Sequence, residues 1–150
     1  MDWQLESLMA LRAIVAVLLG ALVGYEREKH GQDAGIRTYA AVCLGACVFG
    51  LVSSHITTVA DTRIAAQIVS GVGFLGAGVI MRDQGRTLGL TTAATLWTTA
   101  SLGLAVAYGM YVLSVLGAII TFGLLAIHHL PGWNRITKKE NSLEKEKHDH

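Results

Sequence analysis

Five stretches of the chain run for 17 or 18 residues with no more than one charged side chain each: Leu8 to Tyr25, Thr38 to Ser54, Ile64 to Met81, Thr91 to Tyr108 and Met110 to Ile127. A helix of about 18 residues approaches the length needed to cross a hydrocarbon layer about 30 Å thick. None of the 11 Asp and Glu residues falls inside these runs, as expected where a buried carboxylate is costly. Arg12 is the one basic exception, close enough to the end of its run to snorkel outward. The charged fraction is 15%, well below the roughly 25% of soluble domains. The sequence therefore predicts an all-α integral membrane protein with five transmembrane helices.

The single proline, Pro131, follows the last run, where it interrupts no span. Residues 1–130 read as one membrane domain and residues 131–150 as a short charged tail. The start, MDWQLESLMALR, is acidic and lacks a small-residue cleavage pattern, so the first helix is expected to be retained. Lys and Arg are strongly asymmetric: Arg27, Lys29, Arg37, Arg82, Arg86 and the five basic residues after Pro131 fall on one side, Arg12 and Arg63 on the other. The basic side is expected to be cytoplasmic, which puts the N-terminus outside and the C-terminus inside. Cys43 and Cys47 stand one helical turn apart within the second run and read as small packing residues rather than a disulfide or metal site.

The third run contains Gly71, Gly73 and Gly76 in the order G-x-G-x-x-G. A dinucleotide fingerprint needs a preceding strand and a phosphate-binding helix start, and neither fits the middle of an apolar span. Small residues let membrane helices approach closely. Ala66 with Ser70 and Gly73 with Ala77 form such pairs, as do Ala16, Gly20 and Gly24 on the first run. The glycines, Gly78 included, are expected to make helix contacts, with local unwinding that exposes carbonyls to a cavity as the alternative. Gln67 and Ser70 beside them imply that the third helix faces protein, because a buried amide needs a partner. The Thr-rich fourth run reads as a second packing helix, its hydroxyls bonding back to their own carbonyls or across to a neighbour.

Between the first two runs lies YEREKHGQDAGIRT, with Glu26, Glu28 and Asp33 among Arg27, Lys29 and Arg37. Arg37 falls at a helix N-terminus, where the macrodipole disfavours a cation, and this suggests pairing with one of those carboxylates. The acids also offer the oxygen ligands that magnesium takes, although three bases already face them. In the second inner loop, RDQGRTLGL between the third and fourth runs, Arg82 is expected at a helix C-terminus and Thr91 or Thr92 as the cap of the fourth helix; Asp61 is expected to cap the third.

Together, GYERE, AGIRT, RIAAQIVSGVGFLGAGVIMR and GLTTAATLW resemble the MgtC/SapB family of bacterial inner-membrane proteins, over residues 10 to 108. The family pattern matches at Glu26, Arg27, Gly35, Arg37, Thr38, Gln67, Ser70, Gly71, Gly73, Gly76, Gly78, Arg82, Thr92 and Trp97. The resemblance is to the short branch, without a soluble C-terminal domain. It implies a bacterial inner-membrane location, a link to magnesium limitation and, in pathogens, to virulence. Two functions follow as expectations. One is a regulatory protein, homo-oligomeric, that contacts other inner-membrane proteins through small-residue faces and the charged loop. The other is a magnesium channel or transporter with Gln67, Ser70 and glycine carbonyls along its pathway. No enzymatic activity, nucleotide, nucleic acid or cofactor other than magnesium as a ligand or transported ion is expected.

Overall fold

The computed structural model describes residues 3–55, 61–83 and 86–127. They form α1 (Trp3–Lys29), α2 (Ile36–His55), α3 (Asp61–Val79), β1 (Met81–Asp83), β2 (Arg86–Leu88), α4 (Leu90–Ala107) and α5 (Tyr111–Ile127). Of these, α1, α2 and α4 are long and apolar enough to cross a membrane, while α3 and α5 supply shorter apolar helices. The expected tail at residues 131–150 lies outside the described residues, as does the side chain of Asp61.

The bundle is organised around α4, which packs against all four other helices. Small residues set the close approaches. A Cβ on Gly20 would stand 2.5 Å from the Tyr39 carbonyl and 2.7 Å from Cys43 Cβ, and one on Gly24 would stand 2.7 Å from Ile36 Cα. On the other side of α2, Gly103 lies against the Cys43 carbonyl, and Gly50 meets Ala107. Without water to drive helices together, such packing is a main source of association in lipid. Cys43 and Cys47 are buried and unbridged within this core.

The connection between α3 and α4 differs from the expected plain loop. It forms an antiparallel hairpin pairing Met81 with Leu88, Arg82 with Thr87 and Asp83 with Arg86. Arg82 therefore sits on an exposed strand rather than at a helix end. The hairpin returns through Gly89, whose φ of 84° and contact with the Val79 carbonyl exclude a side chain. Gly89 is also the N-cap of α4 and brings no side-chain cap bond, so neither Thr91 nor Thr92 takes the capping role.

At the opposite end of the bundle Arg12 does more than snorkel. Its Nη1 donates to the Ala107 carbonyl at 2.6 Å and its Nε to Tyr111 Oη at 3.0 Å, tying α1 to the corner between α4 and α5. Arg12 is thus at one end of the bundle, with Arg27, Lys29, Arg37, Arg82 and Arg86 at the other.

Candidate functional site

At the basic end three helix termini converge. The first helix continues four residues past the expected end of its span, so Glu26, Arg27 and Glu28 occupy its last turns rather than a solvated loop. Helical spacing then turns Glu26 and Arg27 inward, where they are 2% and 6% exposed. Desolvating charges is expensive unless they are paired and hydrogen-bonded, and both are partnered. His30 Nδ1 stands 3.0 Å from Glu26 Oε1, one helical turn on. Arg27 Nη1 lies 3.9 Å from Glu26 Oε2, while Nη2 donates to Gln32 Oε1 at 2.7 Å and to Thr92 Oγ1 of α4 at 3.3 Å.

A second polar layer lies one turn deeper. The Tyr39 hydroxyl meets Thr95 Oγ1 at 2.6 Å, and Arg27 stands close enough to the same phenol to act on it electrostatically. Thr95 also bonds back to the Thr91 and Thr92 carbonyls at 2.8 and 3.1 Å. The two expected uses of the Thr-rich helix, back-bonding and cross-bonding, therefore meet in one residue. Tyr39 is fully buried.

Arg37 is exposed and forms no ion pair among the described residues, which corrects the pairing expected for it. Its neighbours have other partners. Glu26 faces Arg27 and His30, and Glu28 Oε2 accepts from the Ile36 N–H at 2.9 Å, capping α2 across Gly35. This cap supplies the negative charge that the N-terminus of α2 favours. Asp33, Arg37 and Thr38 stay exposed. Among the described residues no group of three His, Cys, Asp or Glu side chains is placed to hold a metal ion.

The third helix is continuous through its glycines. Gly76 touches Ala93 of α4, but Gly71, Gly73 and Gly78 meet nothing within 4 Å of a Cβ. The helix contacts expected of them are absent among the described residues, because α3 turns Val72 and Gly76 toward the bundle and leaves Gln67, Ser70, Gly73 and Ala77 exposed. Gln67 and Gly71 line an otherwise apolar cleft of about 730 Å3 between α2 and α3, with Gly45 on the facing helix. Trp97 is half exposed on α4.

The structure thus joins Glu26 and Arg27 with Thr92, and leaves the α3 residues as a separate surface. His30, Gln32, Tyr39 and Thr95 complete the first cluster without having been singled out for it. The spacing of Glu26 and His30 on one helix was an available signal; the Tyr39 to Thr95 contact, spanning 56 positions, had none.

A small helical bundle with long apolar helices, a buried ion-pair cluster at one end and close small-residue packing defines a helical membrane protein. A family model described as the MgtC family matches residues 13–130, and the chain belongs to that family. Protein MgtC of Salmonella typhimurium (strain LT2) is 56% identical over 94 residues, covering 61% of this chain and 40% of the relative. Protein MgtC of Brucella abortus (strain 2308) is 49% identical over 88 residues, covering 58% and 37%. The aligned part of this chain spans about two fifths of these relatives' length. No solved structure gives a significant match.

Proposed function

We propose that this chain is a five-span protein of the bacterial inner membrane, with its basic end cytoplasmic, that acts by contact with other membrane proteins in adaptation to magnesium limitation. In this reading the buried cluster around Arg27 fixes the geometry of α1, α2 and α4, and α3 presents the contact surface. The observation that carries it is the open α2–α3 cleft, with the Gln67 amide on its wall and glycines on both sides. An amide facing hydrocarbon costs several kcal/mol unless it is paired. Glycine walls admit another helix at backbone distance, so a transmembrane helix, from a second copy or a partner, satisfies both.

Family membership supports the biological setting, and an apolar cleft supports helix docking over ion passage. The test is cysteine crosslinking from Ser70→Cys on exposed α3 in native membranes, with buried Cys43 and Cys47 giving little background. A crosslinked dimer or heteromeric adduct that Gly73→Leu abolishes is the expected result. An absence of adducts from Ser70→Cys and from cysteines placed along the cleft, in functional protein, would overturn the reading.

A further inference from the structure

Within the apolar helical segment Ile64–Val79 stands one side-chain amide, Gln67. It lies six residues beyond the start of α3 at Asp61, about 9 Å along the axis at 1.5 Å per residue. The side chain is exposed and has no hydrogen-bond partner among the described residues. At such a depth in a bilayer an amide is costly unless another protein group meets it. If a helix fills the α2–α3 cleft, as proposed above, the spacing of residues along α3 identifies which helix it is.

Ile64, Gln67, Gly71, Phe74 and Gly78 recur at alternating steps of three and four residues, the seam spacing of two helices wound around each other. On α3 this seam is open. Ile64 is partly buried, Gln67, Gly71 and Gly78 are exposed, and Phe74 is 81% exposed. A Cβ on Gly71 or Gly78 would meet no atom within 4 Å among the described residues. Ile64, Gln67 and Gly71 also line the cleft of about 730 Å3, whose other wall includes Ala41, Gly45 and Phe49 of α2. Seam and cleft therefore form one continuous open surface.

A seam of this kind is complementary to itself. Copies of one chain lie in a membrane the same way up, so two α3 helices meet in parallel and each seam residue faces its own counterpart. An amide carries both donor and acceptor, so each Gln67 can donate to the Oε1 of the other. Phe74 is a knob whose hole in the opposite helix is bounded by Gly71 and Gly78, the seam positions without a side chain. A foreign helix has to bring an amide to that depth and a gap to that ring; a second copy has both. The same two-fold arrangement seats each α3 in the cleft of the other copy.

We propose that the occupant of the α2–α3 cleft is α3 of a second copy of this chain, in a parallel two-fold dimer closed by reciprocal hydrogen bonds between the two Gln67 amides. This rests on the reading of the cleft as a helix-docking surface and names its partner. The amide layer fixes the register, as a single polar layer does in coiled coils, and the seam glycines set the distance between the helices.

The test is disulfide crosslinking of cysteine variants of the full chain in native membranes. Gln67→Cys and Phe74→Cys should give homodimers. Val69→Cys, 47% exposed on α3 but off the seam, and Val112→Cys, 84% exposed on α5, should not. Because Gln67→Cys removes the amide itself, a second measurement follows the association of copies labelled at Val112→Cys in liposomes by energy transfer. There Gln67→Leu should weaken dimerisation roughly threefold to thirtyfold, the scale of a polar bond between helices in lipid. Gly71→Leu, whose side chain enters open space, should fold and dimerise more weakly still. Adducts with other proteins but no homodimer would overturn the proposal and leave the docking surface standing, while no adduct from any position would remove both. Equal crosslinking on and off the seam, or association unchanged by both Gln67→Leu and Gly71→Leu, would also overturn it.

Discussion

The hydroxyls of Tyr39 and Thr95 stand 2.6 Å apart, joining α2 to α4 inside the bundle, and Tyr39 is completely buried. Removing the two hydroxyls should have unequal effects. Tyr39→Phe leaves Thr95 bonded to its own helix carbonyls, so it should cost about 1 kcal/mol. Thr95→Val leaves the buried phenol with Arg27 alone beside it among the described residues and should cost more, about 1–3 kcal/mol. Unfolding in mixed detergent reads both, and the double variant should be more stable than Thr95→Val alone.

Glycines on different helices should separate folding from assembly. Gly20→Ala places a Cβ against the Tyr39 carbonyl and Cys43, and should destabilise the fold by roughly 1–3 kcal/mol through overpacking. Gly73→Ala enters open space and should leave the fold unchanged or stabilise it by up to about 1 kcal/mol through helix propensity. Gly73→Leu should still fold but lose assembly, read by chromatography and crosslinking. A similar loss of stability at both positions would mean that α3 packs within the chain after all.

The expected importance of Arg37 moves to Glu28. Glu28→Ala removes the acceptor of the Ile36 N–H and should cost about 1 kcal/mol, as other N-terminal caps do. Arg37→Ala, at an exposed position without an ion pair among the described residues, should stay within about 0.5 kcal/mol of the parent. Measured midpoints in the reverse order would restore the pairing first read from the sequence.

These cases show which features hydropathy carries. Charge-free runs locate the helices because a span must be apolar throughout its length, and Gly20 and Gly24 announce close packing through their spacing. Helix ends are less legible. The first helix carries Glu26 and Arg27 past the expected end of the span, because each finds a partner on the same or a converging helix, and a linear pattern cannot register that. The hairpin around Asp83 and Arg86 was hidden for a similar reason: only three residues form each strand, too few for a period to emerge. Small residues on α3 looked equivalent to those on α1, and only the rotation of α3 about its axis distinguishes the packed Gly76 from the open Gly73.

The central claim is that the chain acts through contact rather than by conducting magnesium. The most direct test is magnesium uptake by liposomes that contain the folded, purified protein and an internal indicator, with Gln67→Ala in parallel. The account predicts uptake no greater than in protein-free liposomes and no effect of the substitution. Saturable uptake that Gln67→Ala reduces would contradict it and make the α2–α3 cleft part of an ion pathway.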